Sequence, residues 1–277
     1  MKKYNIDEIR KMGYTDFVSL IKEENRPSGG KNTIREIALN TFLNKDSKVL
    51  EIGCTNGFSS LEIQRLLGCN VIGVDINKKS VDNANSRITE LGLDPKKIKF
   101  EYGDAQHLNY NDSEFDLIIC GNAISFVNDK EKAFEELKRV LKPNGFISMV
   151  PIWYKEKPEQ NIVKQVSDEL GFNIHCYYEK DWSNFEDTGM ELYFKKDYKY
   201  ICANEEELDC YVNTMIDNKK HLKVYNSDEL AAIKERWKKT MSVFNKNAEL
   251  TNFSIILLRK NLIEEEVSLL KVEELKK

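Results

Sequence analysis

Between residues 48 and 150 the hydrophobic period switches repeatedly from short β-like runs to helical stretches and back. Residues 48–52 form a short β-like run, 61–67 read as a helix, and 70–75 as a second, buried strand. Residues 79–91 predict another helix, 98–102 a third strand and 115–120 a fourth. Residues 130–141 read as a helix with Asn128 or Asp129 as N-cap, Pro143-Asn-Gly145 turns the chain, and 146–150 form a fifth strand. Regular alternation of this kind needs a parallel sheet held between two layers of helices. The predicted fold class is α/β, a three-layer sandwich.

The flanks are less regular. Residues 5–24 predict a helix with a break near Gly13, and its apolar positions include Ile6, Ile9, Phe17, Val18, Leu20 and Ile21. Arg26-Pro-Ser-Gly-Gly30 is a loop, and 33–43 a helix with Ile34, Ile37, Ala38 and Phe42 on one side. Beyond the fifth strand, helices are expected at 160–170, 205–218 and 227–245, a short one at 181–188, and a strand near 191–201. Residues 252–258 are an apolar run that needs burial on both faces, so they are expected to return to the main sheet. Residues 261–277 read as a charged, solvated helix.

Composition narrows the function classes. A chain of 277 residues, 41% of them apolar, fits one α/β domain with helical additions or a core plus a small cap. Basic residues number 42 and acidic ones 46, a net charge of −4, so nucleic acid is not the expected partner. Six cysteines form no Cys-x-x-Cys pair and there are three histidines, so neither a metal site nor a disulfide framework is expected. Reduced thiols suit a cytoplasmic protein. The first residues lack the apolar run of a signal peptide, and no stretch approaches the roughly 18 apolar residues of a membrane span.

The chemically informative string is Val49-Leu-Glu-Ile-Gly-Cys-Thr-Asn-Gly57, set between a strand and a helix. Gly53 lets the backbone turn tightly and approach a ligand. Gly57 opens the next helix, whose free N–H groups and positive dipole end favour a carboxylate. Glu51 can accept hydrogen bonds from an ammonium group, so one loop suits both charges of an amino-acid moiety. Asp75, 24 residues beyond Glu51, ends the second strand, where a carboxylate can take both hydroxyls of a ribose; a helix N-cap is the alternative. Gly103-Asp104-Ala105 follows the third strand and Asn122 ends the fourth.

In these motifs the sequence resembles the class I S-adenosyl-L-methionine (SAM) dependent methyltransferases. Glu51, Gly53 and Gly57 match the family's first motif, and Thr55 departs from it where a glycine is more usual. The resemblance covers about residues 30–155. It implies a Rossmann-like, seven-stranded, mostly parallel sheet with an antiparallel last strand. It also implies SAM as cofactor, bound by Glu51, Gly53, Cys54, Gly57, Asp75, Ile76, Asp104, Ala105 and Asn122. Asp104 would hold the adenine amino group, the Ala105 backbone would read the ring edge, and Ile76 would pack on adenine or ribose. Residues 1–45 are expected as an N-terminal helical lid and 46–277 as the SAM-binding domain. Within that domain the core spans 46–155, and 156–250 carry additions on the substrate side.

The expected reaction is in-line methyl transfer to a small-molecule acceptor. It demands alignment and exclusion of water more than a dedicated base, and no catalytic residue stands out. In open α/β sheets the acceptor lies beyond the carboxyl ends of the strands, which points to Asn122, Ser125, Phe126, Trp153 and Tyr154. By analogy with small-molecule methyltransferases, Tyr14 and Phe17 would touch substrate from the lid. For Trp153, Tyr154, Tyr14 and Phe17, core packing is the alternative. No Asn-Pro-Pro-Tyr string follows the fourth strand, which argues against the subgroup acting on base amines or glutamine. His107, His175 and His221 read as surface or structural. Two other functions compete: a non-catalytic SAM-binding module, hinted at by Thr55, and a nicotinamide oxidoreductase, disfavoured by Thr55 and Phe58 where glycines are required. Oligomeric state is left open.

Overall fold

A computed structural model describes residues 3–183, 185 and 188–260. Strands β1 (Lys48–Ile52), β2 (Asn70–Asp75), β3 (Ile98–Tyr102) and β4 (Phe115–Gly121) lie parallel in the order β3-β2-β1-β4, and β5 (Leu141–Met149) continues parallel beside β4. Strand β8 (Thr251–Arg259) returns to the sheet, as its apolar run demands, and lies antiparallel, as the resemblance implied. It carries β5 and β6 (Ile152–Tyr154) along one edge and β7 (Glu191–Lys199) along the other. Eight segments thus fill seven ranks of one sheet, the fifth rank being divided at Pro151 between β5 and β6.

Successive residues of a buried strand point to opposite faces, and β1 shows it. Val49 enters one core with Ile34 and Ile37 of α3 (Lys31–Leu39), Leu61 of α4 (Phe58–Leu67) and Val81 of α5 (Lys78–Glu90). Leu50 enters the other core with Ala133 and Leu137 of α6 (Lys130–Val140). Asp129 caps α6 by accepting from the Lys132 N–H. The three-layer expectation is met, and α3, inside the segment expected as a lid, contributes to the core of the sheet.

A third core joins the two ends of the chain. Helices α1 (Ile6–Lys11) and α2 (Tyr14–Leu20), broken at Gly13 as expected, pack with α8 (Glu205–Asp217) and α9 (Ser227–Leu250) through Ile9, Phe17, Val212, Ile233 and Trp237. Helix α7 (Gln160–Leu170) packs on α9 and α2. The buried Glu169 carboxylate of α7 accepts from Arg236 and from Thr240 Oγ1 (2.7 Å) on α9.

Two expected boundaries move. Pro143–Gly145 is a bulge inside β5, because Leu141 already pairs with Phe115 before register resumes at Phe146. Asn144 takes φ 60° there and its N–H donates to the Lys260 carbonyl at 2.8 Å. A 3-10 turn covers Glu179–Trp182, and the short helix expected at 181–188 lies partly outside the described residues. The helix expected at 261–277 lies outside the described residues. Among the described residues no helix is long and apolar enough to cross a membrane.

Candidate cofactor and acceptor site

The turn after β1 is built from backbone. Gly53 takes φ 69° and donates its N–H to the Val74 carbonyl at 2.8 Å, tying the turn to β2. A Cβ on Gly53 would lie 2.6 Å from the Ala123 Cβ, so only glycine lets the loop after β4 come this close. Gly57, at φ 81°, caps α4, and a Cβ there would strike the Phe100 ring at 2.6 Å. Thr55 adopts φ 45°, the left-handed conformation a glycine would take freely. Two contacts hold it: its N–H donates to Asp75 Oδ2 at 2.9 Å, and Asn25 Nδ2 donates to its hydroxyl at 3.1 Å. The departure from glycine at 55 therefore leaves the loop in a glycine-like shape.

Asp75 stands at the end of β2 with its other oxygen accepting from the Asn77 N–H at 2.8 Å. Burial raises its pKa, and the backbone bonds from Asn77 and Thr55 oppose that rise. A carboxylate offers about four lone-pair sites, so capacity remains for a further donor. Ile76, next in sequence, is 70% exposed, an apolar side chain left open beside a carboxylate. Asp104, after β3, accepts from the Gln106 N–H at 2.9 Å, and that bond holds its pKa below the usual value. Ala105 is buried beside it, and Cys54 is buried with its thiol pushed well up by desolvation.

Glu51 lies beneath the turn rather than on its open side. It is 6% exposed, and one oxygen accepts from the Ser60 N–H at 2.8 Å and the Ser60 hydroxyl at 2.5 Å. Its Oε2 caps α4 from below the turn. Burial raises its pKa to about 7, against the lowering effect of Ser60 and Ser59.

Beyond β4, Asn122 precedes a 3-10 turn over Ala123–Phe126 and accepts from the Ser125 hydroxyl at 2.9 Å. Phe126 is 49% exposed and meets Phe172, 40% exposed, edge to face at 5.0 Å between ring centroids. The other expected acceptor residues lie deeper. Trp153 is buried in the core with its indole N–H donating to Ser254 Oγ at 2.8 Å, and Tyr154 is buried with its hydroxyl donating to Asn247 Oδ1 at 2.7 Å. Phe17 is fully buried against Trp237. These three follow the core-packing alternative. Tyr14 meets Phe244 edge to face at 5.6 Å, and burial raises its pKa, with Glu23 and Glu169 adding to the rise.

The segment before the Arg26–Gly30 loop lies on the glycine turn. Asn56 Nδ2 donates to the Glu23 carbonyl at 2.5 Å, and Arg87 bridges the Asn56 carbonyl and Glu24, both at 2.6 Å. Asn25, Ala123, Ser60 and Phe172 had no signal in the sequence reading. Each acts across a fold contact rather than at a motif spacing. Two open surface grooves, of about 430 and 760 Å³, lie elsewhere, by Lys99 and Tyr110 and by Asp7 and Glu229. Among the described residues no cluster of His, Cys, Asp or Glu is placed to hold a metal ion.

A family model described as a methyltransferase domain matches residues 43–229. A demethylmenaquinone methyltransferase of Lactobacillus johnsonii is 33% identical over 55% of this chain and 57% of its own length. The chain spans 72%, 57% and 33% of the first three curated relatives it matches. Among solved structures, the MccD protein superposes with a TM-score of 0.71 at 23% identity, covering 86% of this chain and all of that one (100%). The cyclase SpnF superposes with a TM-score of 0.67 at 16% identity, covering 94% and 98%. Both likenesses show the fold. The family match spans most of the chain, including the glycine turn, Asp75, Asp104 and the Asn122 loop, and the chain belongs to the class I SAM-dependent methyltransferases.

Proposed function

We propose that this protein transfers the methyl group of SAM to a small-molecule acceptor seated against the loop after β4. The observation that carries this reading is the convergence at one edge of the sheet of the glycine turn, Asp75, the open Ile76 and the Asn122–Phe126 loop. SAM, when bound, supplies a methyl group on a sulfonium, which is already a good leaving group.

The residues present fit that cofactor. Asp75 has capacity for the ribose hydroxyls beyond its Thr55 and Asn77 donors. Ile76 offers an apolar face to the adenine, and Asp104, kept ionised by Gln106, accepts from its amino group. Residues 23–26, tied to Thr55 and Asn56, cover the turn and limit water. Asn122 and Ser125 hold each other in one orientation at the acceptor side, while Phe126 and Phe172 offer an apolar wall. Tyr14 keeps its proton at neutral pH, so its hydroxyl donates to an acceptor rather than serving as a base. The relative named for demethylmenaquinone supports a small-molecule acceptor. Six free thiols suit a reducing, cytoplasmic compartment.

The test is incubation of the purified protein with methyl-labelled SAM and a panel of small apolar and aromatic acceptors. Transfer of label, with a higher acceptor KM and unaltered SAM affinity in Phe126→Ala, is the expected result. SAM binding without transfer to any acceptor would favour a non-catalytic module or another chemistry. The fold neighbour named a cyclase gives that second reading its footing.

A further inference from the structure

Three side-chain donors meet beside the loop after β4. Lys130, four residues beyond Phe126, donates from Nζ to Tyr177 Oη at 2.5 Å. The same ammonium stands 5.2 Å from the centre of the Tyr177 ring, so it meets the hydroxyl end-on and not the ring face. Tyr177 lies five residues beyond Phe172, the ring that meets Phe126. It is fixed from two sides: Tyr154 of β6 donates its N–H to the Tyr177 carbonyl at 2.8 Å, and the buried Trp182 ring lies 5.1 Å from the Tyr177 ring. The exposed His175 ring packs on Tyr177 at 4.5 Å between centroids.

A lysine ammonium has several N–H donors, and a phenol and an imidazole have at least one each. Among the described residues the Tyr177 O–H and the His175 ring donate to nothing, and no carboxylate pairs with Lys130. The neighbouring carboxylates are engaged elsewhere or turned outward. Asp129 Oδ1 accepts from the Lys132 N–H at 3.0 Å, Asp181 Oδ2 from the Tyr178 N–H at 2.8 Å, and Glu179 lies 3.8 Å from the Lys195 ammonium. Glu131, next to Lys130 in sequence, is exposed and makes no ion pair among the described residues. Lys132 is turned away, to His107 Nε2 at 2.5 Å. The half-buried Lys130 is therefore a cation without a counter-ion, with a phenol and an imidazole beside it. Donors gathered around one cation suit an oxyanion, because hydrogen bonds to a charged acceptor are the strong ones.

We infer that the acceptor carries an oxyanion, a carboxylate or a phosphate, held by Lys130, Tyr177 and His175 while its apolar body lies against Phe126 and Phe172. This rests on the acceptor reading above and gives the acceptor a chemical class. The reach is suitable, since four residues of extended chain from Phe126 to Lys130 span at most about 14 Å, so one small molecule touches both. An apolar wall alone admits any flat hydrophobe in either direction. A charged anchor at one end fixes which end of the acceptor turns toward Asn122, which is the alignment that in-line transfer needs.

The test uses three probes built on one aromatic body: 2-naphthoate, 2-naphthyl phosphate and the neutral methyl 2-naphthoate. Each is titrated by calorimetry, with S-adenosylhomocysteine present, into the wild type, Lys130→Met and Lys130→Arg. The wild type is expected to bind at least one anionic probe about tenfold or more tighter than the ester, the tighter of the two naming the oxyanion. Lys130→Met is expected to erase that preference and leave the ester within about twofold, while Lys130→Arg keeps most of it. Equal affinity of the wild type for charged and neutral probes, or binding of none, would overturn the inference. A loss in Lys130→Met shared equally by the ester would also overturn it, making Lys130 a support for the Tyr177 segment. Binding of S-adenosylhomocysteine is titrated separately and is expected to be the same in all three proteins. Its failure in the wild type would overturn the cofactor reading, and this inference with it, whereas a missing preference for the anionic probes overturns this inference alone.

Discussion

The sheet half of the molecule and its helical half hold polar groups in opposite ways. Around β1 and β2 backbone N–H groups are the donors: Gly53 to the Val74 carbonyl, Thr55 and Asn77 to the Asp75 carboxylate. These contacts sit at the open edge, with donors and lone pairs to spare for a ligand. Between α2, α7 and α9 the contacts are made by side chains and sealed inside: Arg236 and Thr240 on Glu169, Arg236 over the Phe17 ring at 5.2 Å. The first arrangement is suited to binding, the second to fastening the two ends of the chain together. Polar groups near the ligand site keep capacity unused, whereas Arg236, Thr240 and Glu169 are closed on one another.

Breaking the fastening has the largest expected effect. Glu169→Ala leaves the Arg236 guanidinium buried without its carboxylate and is expected to cost about 3–5 kcal/mol in urea unfolding. A loss below about 1 kcal/mol would mean that this pair does not hold the helical half. Asp75→Ala acts on the other side of the comparison. It is expected to weaken SAM binding by about 1.5–3 kcal/mol in calorimetry, and unchanged affinity in the folded variant would refute the ribose assignment.

Glu51 is the exception that sharpens the contrast, a sealed carboxylate inside the binding half. Its pKa is raised from 4.5 unfolded to about 7 folded, because burial disfavours the charged form. The protonated form therefore stabilises the fold fully below the unfolded value, and that contribution is lost as pH rises through about 7. Glu51→Gln, which keeps an acceptor for Ser60, is expected to flatten thermal stability between those two pH values and to gain about 1–2 kcal/mol at pH 8. A wild-type profile that is already flat there would contradict this. The smallest effect belongs to Thr55→Gly. The loop needs a positive φ at 55, which glycine adopts freely, so SAM affinity is expected to change by less than about threefold.

The same contrast explains what could be read from the chain. Strands β1 to β4 and helices α4 to α6 were legible because local periodicity and caps define them, and Asp75 and Gly53 because they sit at fixed places on those elements. The partners that matter across the fold were not. Asn25 reaches Thr55 over 30 residues, Phe172 meets Phe126 over 46, and Arg236 meets Glu169 over 67, with no spacing rule to announce them. The aromatic residues mislead for the same reason. Trp153, Tyr154 and Phe17 look like a pocket wall in sequence, but their burial is decided by β8 and α9, which arrive about 100 residues or more later. Glu51 could be placed on its strand from sequence, but its bond to Ser60 could not, since Ser60 lies on the next helix and reaches back beneath the turn.

The most direct test of the central claim is calorimetric titration of the purified protein with SAM, S-adenosylhomocysteine and NADH. Saturable binding of the first two and none of NADH is the predicted result. A folded protein that binds neither SAM nor its demethylated product would contradict the account.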